Sequence, residues 1–409
     1  MRILIFNVKF SENLGDGVLA MCLERALMRA RPDIEVETVD IAGRQAFGGG
    51  AREGRRALLR LLELMPPRLR RLAVSFVLSR SMPRWSRFWK ERVDQSDVAV
   101  IGGGNLFQDD DLNFPLKIGA VLDILRDAGL PVAVHAVGAS RQWSLRAREL
   151  FARLLGNRIV HVSVRDERSR QNWRSYFGET FDVGISPDPG LLAAEMMGSR
   201  REPLQTREPA VGICVTHPVI LRRHAGMAFS QVPVRSVSAY SELCRELVKL
   251  GHPVLLFNNG AREDQSFLDL VMQDPACAEM IGSGLLTAAP RPREPLELLS
   301  LLQPLSAVVA HRLHASIIAY SFRIPHVGLG WDSKVESFFK SVGRDRFLIQ
   351  GDCGPRDVAA CVAAAIADGI DPALHACQLE QARKGIGHLL DKLSAAVATP
   401  VLRLPSEVN

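Results

Sequence analysis

Three side chains that carry, or can carry, a positive charge follow two apolar runs in the C-terminal half of the chain. Arg312 and His314 follow the run AVVA, and Lys334 follows the run HVGLGW. If these runs are neighbouring parallel strands, the three side chains reach one crevice beyond the strand ends. Arginine offers a planar fork for carboxylate or phosphate, lysine a point charge, and histidine a proton near neutral pH. The pattern indicates an anion site with acid–base chemistry. His314 alone also fits a hydrogen-bonded core histidine, and His311 fits either role.

A second set of candidates follows the first apolar run, RILIFNV. The chain continues into NLGDG, residues 13–17. The two glycines permit close approach of the backbone to a ligand or to another element. Asp16 is placed either to cap the helix that follows or to bind and activate a hydroxyl group. We therefore take Asn13 as a candidate substrate-binding residue and Asp16 as a candidate catalytic residue.

Two further groups follow apolar runs in the N-terminal half. The run VAVI leads into GGGNLFQD, residues 102–109, which is neither a GxGxxG fingerprint nor a Walker loop. Backbone N–H groups exposed at such glycines can receive a phosphate or sugar oxygen, so Gly103, Gly104 and Asn105 are candidate substrate-binding residues. The alternative is a tight turn that binds nothing. Arg165 follows HVSV and is either a further substrate-binding cation or a partner in a structural ion pair.

Apolar, strand-like runs alternate with helix-like stretches along both halves of the chain. Near-continuous apolar strands separated by helices indicate parallel sheets that are covered on both faces. The predicted fold class is α/β, with two Rossmann-like domains. The first domain covers 1–195 and includes a basic insertion at 52–92. A polar linker follows at 196–208, and the second domain covers 209–409 with a terminal helix.

The composition excludes several classes of protein. With 47% hydrophobic and 23% charged residues in 409, the chain is typical of a soluble globular protein. Its uncharged runs are shorter than the roughly 18 residues of a spanning helix. The opening MRILIFNV is followed by Lys9 and Glu12, which suits a first strand better than a signal peptide, so we predict a cytoplasmic location. Seven cysteines without metal-ligand spacing predict neither a disulfide framework nor a metal site.

The segment 52–92 is strongly basic. It holds twelve Arg or Lys residues against three Glu, and leucine, phenylalanine and tryptophan residues lie between the charges. Such a pattern can lie on an anionic membrane surface, at the inner face of the membrane, or hold an anionic acceptor. It equally fits a helical insertion with a solvated basic face. Because no nucleic-acid motif accompanies the charge, we do not predict nucleic-acid binding.

These motifs, taken in order, resemble the polysaccharide pyruvyl transferase family. The matching stretches are NLGDG, VIGGGNLFQD, VSVRDERS, the Asp188-Pro189 pair in ISPDPG, HRLHA and WDSKV. They are scattered from residue 13 to residue 335, so the resemblance covers most of the chain. The long arginine-rich insertion is not part of the family pattern.

The resemblance implies a fold like that of the two-domain B-type glycosyltransferases. It also implies transfer of pyruvate from phosphoenolpyruvate to a sugar of a polysaccharide or its lipid-linked precursor, usually as a ketal, with no cofactor. Arg165, Arg312 and Lys334 would then hold the donor's carboxylate and phosphate. His314 would be the general acid that protonates the enol, and Asp16 would orient or deprotonate the acceptor. A glycosyltransferase that uses a nucleotide sugar and a non-catalytic glycan-binding protein are the alternatives.

Overall fold

The structure is a computed structural model, and it describes residues 1–48, 66–198, 209–224 and 229–398. Two predicted segments lie partly outside this range. They are residues 52–65 of the basic insertion and residues 199–208 of the polar linker.

The N-terminal half forms one parallel sheet. Its strands are β1 (Arg2–Asn7), β2 (Glu35–Asp40), β3 (Val98–Gly102), β4 (Pro131–Val137), β5 (Arg158–Val164) and β6 (Val183–Ile185). They lie in the order β2-β1-β3-β4-β5-β6. Every residue of β3 and β4 is buried, as expected for central strands covered by helices on both faces. Since β1 pairs with both β2 and β3, the order of the chain changes direction between β1 and β3.

The C-terminal half forms a second parallel sheet. Its strands are β7 (Val211–Cys214), β8 (Val254–Phe257), β9 (Leu286–Ala288), β10 (Ala307–Ala310), β11 (His326–Leu329) and β12 (Leu348–Ile349). They lie in the order β12-β11-β10-β7-β8-β9, which is the order of the Rossmann fold. Strands β7 and β10 pair with Cys214 opposite Ala310, and the chain order changes direction between them.

Helices connect these strands. They are α1 (Leu14–Ala30), α2 (Pro67–Val93), α3 (Asn113–Ala128), α4 (Leu145–Phe151), α5 (Glu167–Phe177), α6 (Pro218–His224), α7 (Val237–Lys249), α8 (Arg262–Met272), α9 (Ala278–Gly282), α10 (Pro295–Leu302), α11 (Leu313–Ser321), α12 (Ser333–Ser341), α13 (Pro355–Asp368) and α14 (Pro372–Ala398). Short 3₁₀ segments include Asp110–Leu112 and Pro189–Met196. The predicted α/β class with two parallel sheets is confirmed.

A continuous buried apolar cluster joins the two halves. It contains Leu14 and Val18 of α1, Leu298 of α10, Ala315 of α11 and Leu389 of α14. Helix α14 packs on β4 and β5, so the last helix returns to the N-terminal sheet. Because α1 and α11 share one core, their N-termini are held at a fixed separation. The predicted domain boundaries stay a prediction.

A helix that crosses a membrane needs about 20 predominantly apolar residues. Across the described ranges, no single helix combines the length and the apolar character needed to cross a membrane. Within the same ranges, α13 and α14 reach that length and hydropathy when taken together, and their axes bend by 89° at the break between them.

Candidate active site

A cavity of about 260 Å³ lies where strand ends of the two sheets come together. Its walls come from the segments that follow β1, β3 and β5 of the first sheet and β7, β10 and β11 of the second. Both places where the strand order changes direction contribute, and ligands of open parallel sheets bind at such places. The predicted site residues that line it are Asn13, Asp16, Asn105, Arg165, Arg312, His314 and Lys334.

His314 and Asp16 meet where the N-termini of α11 and α1 face each other. Nδ1 of His314 lies 3.5 Å from Oδ1 of Asp16. A Cβ atom at Gly15 would lie 2.3 Å from Cβ of His314, so only glycine permits this approach. The N-cap residue of α1 is Asn13, whereas Asp16 lies in the first turn. Of the two interpretations of Asp16, the structure therefore favours a carboxylate directed at the cavity over a helix cap.

Burial shifts both members of this pair toward their neutral forms. Burial, together with the smaller effects of the nearby cations Arg165, Lys334 and Arg312, lowers the pKa of His314 to about 4, although Asp188 opposes the shift. Burial raises the pKa of Asp16, while hydrogen bonding and nearby cations oppose the rise. Nε2 of His314 is buried and has no hydrogen-bond partner among the described residues. The imidazole is therefore uncharged at neutral pH, and an anion entering the cavity would favour its protonation.

Arg312 is fixed by a buried carboxylate. Its Nε and Nη2 groups donate to Oδ2 of Asp264 at 3.1 and 2.6 Å. The other oxygen of Asp264 accepts from the backbone N–H of His217 at 2.8 Å, and the Asp264 side chain is fully buried. Burial alone would lower the pKa of Arg312, but Asp264 outweighs it and the pKa is raised. The guanidinium is thus charged and held in one orientation at the cavity wall.

Arg165 and Lys334 reach the cavity from different sheets, each beside a carboxylate that caps a helix. Nε of Arg165 donates to Oδ2 of Asp166 at 3.2 Å, and Nζ of Lys334 lies 3.0 Å from Oδ2 of Asp332. Asp166 also accepts from the N–H of Ser169, and Asp332 from the N–H of Lys334. Arg165 therefore both forms an ion pair and lines the cavity, and the ion pair orients its guanidinium.

The glycine-rich loop after β3 supports the site in two ways. Gly103 and Gly104 have φ angles of 74° and 75°, which favour glycine. A Cβ atom at Gly103 would lie 2.0 Å from Cδ2 of Leu19, so this glycine lets the loop pack on α1. Neither glycine is among the described residues that line the cavity, whereas Asn105 is. A Cβ atom at Gly138 would lie 2.5 Å from Oδ1 of Asn105, so Gly138 makes room for that amide.

His311 belongs to the core. It is fully buried, its Nε2 lies 2.8 Å from the carbonyl oxygen of Pro233, and its Nδ1 lies 3.4 Å from the hydroxyl of Tyr240. Burial lowers its pKa to about 4. Its backbone carbonyl accepts from Nε1 of Trp331, whose ring lies beneath the ammonium of Lys334. His311 therefore packs behind the cavity rather than facing it.

Sequence reasoning missed Asp188 and Asp264 as parts of the site. Asp188 is buried, and its Oδ1 accepts from the N–H of Gly190 at 2.9 Å. Its Oδ2 has no hydrogen-bond partner within the described part of the chain. Asp188 also raises the pKa of His314, against the dominant effect of burial. The only sequence signal for Asp188 was its place in the ISPDPG motif, and Asp264 resembles any acidic residue in a first helical turn.

The cavity thus combines three fixed cations with an imidazole and a carboxylate. Such a set can hold a compact molecule with several negative charges and move a proton at one of its atoms. The described residues contain no group of three or more histidine, cysteine or acidic side chains placed to hold a metal ion.

The comparisons with known proteins concern the family and the fold. A family model described as polysaccharide pyruvyl transferase matches residues 13–333. A comparison with curated proteins found no match. The S. aureus MnaA–UDP co-structure is 11% identical, with a TM-score of 0.53 over 100% of this chain and 99% of that chain. The UDP-GlcNAc 2-epimerase of Methanocaldococcus jannaschii, in complex with UDP-GlcNAc and UDP, is 11% identical, with a TM-score of 0.54 over 97% of this chain and 100% of that chain.

At this low identity the structural similarity shows the fold alone. Epimerases of this kind have a fold like that of the B-type glycosyltransferases, so the predicted fold class is confirmed. The family model spans most of the chain, which confirms the predicted family and the prediction of an enzyme. The chain belongs to the polysaccharide pyruvyl transferase family.

Proposed function

We propose that the protein transfers the pyruvyl group of phosphoenolpyruvate to a sugar of a polysaccharide or of its lipid-linked precursor, forming a ketal. The family supports a pyruvate donor and a sugar acceptor. The observation that carries the choice of donor is the convergence of Arg165, Arg312 and Lys334 on one cavity. Phosphoenolpyruvate carries a carboxylate and a phosphate on a small frame, so its binding needs several cations at close quarters.

The size of the cavity is consistent with a small donor. Its volume of about 260 Å³ lies near the lower end of the range of about 300–1,000 Å³ that is typical of ligand pockets, so it suits a compact donor. The structural neighbours were solved with UDP or UDP-GlcNAc, which makes a nucleotide sugar the competing donor. The absence of a cofactor and the cytoplasmic location stay predictions.

In the proposed reaction, His314 delivers a proton to the methylene carbon of the enol. The carbon that bears the phosphate becomes electrophilic, and a sugar hydroxyl attacks it. Phosphate then leaves with its bridging oxygen, and a second hydroxyl closes the ketal. The acceptor loses two hydroxyl protons. One makes up for the proton that the new methyl group has gained, and the other leaves with phosphate.

Asp16 is proposed to act on the acceptor and on the imidazole. Its Oδ1 lies 3.5 Å from Nδ1 of His314, which supports a role in orienting the ring and in accepting a proton from the attacking hydroxyl. Nδ2 of Asn13 lies 3.5 Å from Oδ2 of the same carboxylate, which supports a role for Asn13 in binding the acceptor. Asn105 is proposed to contact the substrate from the first sheet, whereas Gly103 and Gly104, which do not line the cavity, are proposed to shape the loop that carries Asn105.

The test is incubation with phosphoenolpyruvate and candidate glycans. Release of phosphate together with the mass gain of one pyruvyl group is expected, and release from a nucleotide sugar instead would contradict the donor. His314→Gln should lower kcat by about 10²–10⁴-fold. Full activity of that variant would remove His314 as the acid and favour a non-catalytic role for the ring.

A matched pair of variants on one helix tests donor binding. Lys334→Ala should raise the KM for phosphoenolpyruvate because it removes a cation from the cavity wall. Lys340 is exposed in the last turn of the same helix α12, so Lys340→Ala should leave KM unchanged. Equal KM values for the two variants would contradict the assignment of Lys334.

A further inference from the structure

Helix α2 exposes a row of large apolar side chains. Leu69, Leu72 and Phe76 are 54%, 67% and 58% exposed. Their spacing of three and four residues places them on one face of the helix. Large apolar side chains on a monomer surface normally occur singly, so such a row indicates a surface that another body covers.

The exposure of this row is not the result of a poorly packed helix. Trp89 and Val93 of α2 are fully buried, and Leu78 is 8% exposed. The helix packs along α3, and Trp89 and Val93 belong to the core of the first sheet. Helix α2 is therefore fixed in rotation, and the apolar row is presented outward.

Arginine residues continue the same row toward the C-terminus of the helix. Arg80, Arg84 and Arg87 are exposed and follow Phe76 at intervals of four, four and three residues. The guanidinium of Arg80 lies 4.3 Å from the ring centroid of Phe76. A helix with outward apolar residues and adjacent arginines has the composition of helices that lie in a membrane interface. We call these six residues the α2 face.

We propose that the α2 face docks on an anionic phospholipid surface. Leu69, Leu72 and Phe76 would enter the boundary of the acyl chains, and the arginines would contact lipid phosphates. Charge complementarity requires an anionic occupant. The row is narrow and lies on a convex helix, whereas protein partners bury their anchor residues in preformed pockets. A fluid lipid surface can enclose a convex row without such a pocket.

Helix α2, which carries the α2 face, also contacts the wall of the cavity. Nε of Arg70 lies 2.5 Å from Oδ2 of Asp111, and the neighbouring Asp110 lines the cavity. Asp110, Asp111 and Leu112 all have positive φ angles, between 40° and 69°, a conformation that non-glycine residues rarely adopt. Helix α2 therefore helps to hold a strained turn at the cavity wall. If the proposed function is correct, docking would bring the cavity near lipid-linked acceptors.

The proposal is tested by flotation of the full chain with vesicles, without any measurement of transferase activity. Vesicles of phosphatidylcholine alone are compared with vesicles that contain about 30 mol% phosphatidylglycerol. We expect retention on the anionic vesicles only, and loss of retention when salt is raised from about 0.05 to about 0.5 M. Because no substrate is present, failure of this test is independent of the proposed reaction.

Matched variants show whether the α2 face is responsible. Leu72→Ser should weaken the partition coefficient by about tenfold or more, whereas Leu145→Ser, at a position 77% exposed on α4, should not change it. Arg84→Glu should weaken it by about tenfold or more, and Arg356→Glu, exposed on α13 with the same change of charge, should have a much smaller effect. All four positions are on the surface, and thermal melting verifies folding.

Three results would overturn the proposal. One is no retention on anionic vesicles at low salt. Another is that the variants at Leu72 and Arg84 are retained on anionic vesicles as well as the wild type, because another surface would then be responsible for binding. The third is self-association in sedimentation velocity that Leu72→Ser abolishes, without any vesicle binding, because the occupant would then be a second copy of the chain.

Discussion

Binding of phosphoenolpyruvate is predicted to be coupled to proton uptake by His314. Burial and neighbouring cations lower the pKa of this imidazole to about 4. At pH 7 about one ring in a thousand is then protonated, and protonating it costs about 4 kcal/mol. The proposed acid must nevertheless carry a proton when the enol is attacked. The negative charges of the donor must therefore raise the pKa of His314 on binding.

The number of protons taken up on donor binding follows from the change in the pKa of His314. If the donor raises the pKa of His314 above 7, about one proton is taken up for each donor bound at neutral pH. Donor binding should become stronger as pH falls, since the complex binds more protons than the free protein. Affinity should then increase by about tenfold for each unit that pH falls between 7 and 4, apart from the donor's own titration.

The assay is isothermal titration calorimetry in buffers with different ionisation enthalpies. The dependence of the binding heat on buffer gives the number of protons taken up. His314→Gln is the matched control, because it keeps a polar side chain at the position but cannot carry the proton. The difference between the two proteins removes the proton bound by the donor phosphate itself. Equal proton counts would refute the reasoning about His314.

Three further predictions concern named contacts. Gly15→Ala should lower kcat by about 100-fold, as measured by steady-state kinetics. The new methyl group would lie 2.3 Å from Cβ of His314 and would push the N-termini of α1 and α11 apart. Arg312→Lys should raise the KM for phosphoenolpyruvate by about 10–100-fold, since lysine cannot reproduce the fork that Asp264 orients. Burial lowers the pKa of His135 to about 3, so the free energy of unfolding should fall as pH decreases from about 6.5 toward 3, by about 1.4 kcal/mol per unit for this group. Denaturant titrations of the wild type and His135→Asn, which should show a weaker dependence on pH, check this.

Much of the fold could be predicted from the pattern of apolar runs. The strands β1, β3, β4, β7 and β10 are buried on both faces, and each appears in the sequence as a short, nearly uninterrupted apolar run. The strands β6, β9 and β12 have three, three and two residues, which is too short for a periodic signal. The return of α14 to the first sheet depends on tertiary packing, which has no local signature.

The candidate site was predictable to the extent that it depends on strand ends. Arg165, Arg312 and Lys334 follow strands directly, so the geometry of parallel sheets brings them to one edge. The carboxylates that orient them were not expected, because Asp264 is 48 residues from Arg312 and pairs with it only in the folded chain. The same holds for Gly15. It must lack a side chain because it lies against His314, which is distant in sequence.

A crystal structure with phosphoenolpyruvate bound tests the central claim most directly. We predict that the donor carboxylate and phosphate contact the guanidinium groups of Arg165 and Arg312 and the ammonium of Lys334, with the methylene carbon facing the ring of His314. A donor bound elsewhere on the molecule, or held in this cavity without contact to these cations, would contradict the account.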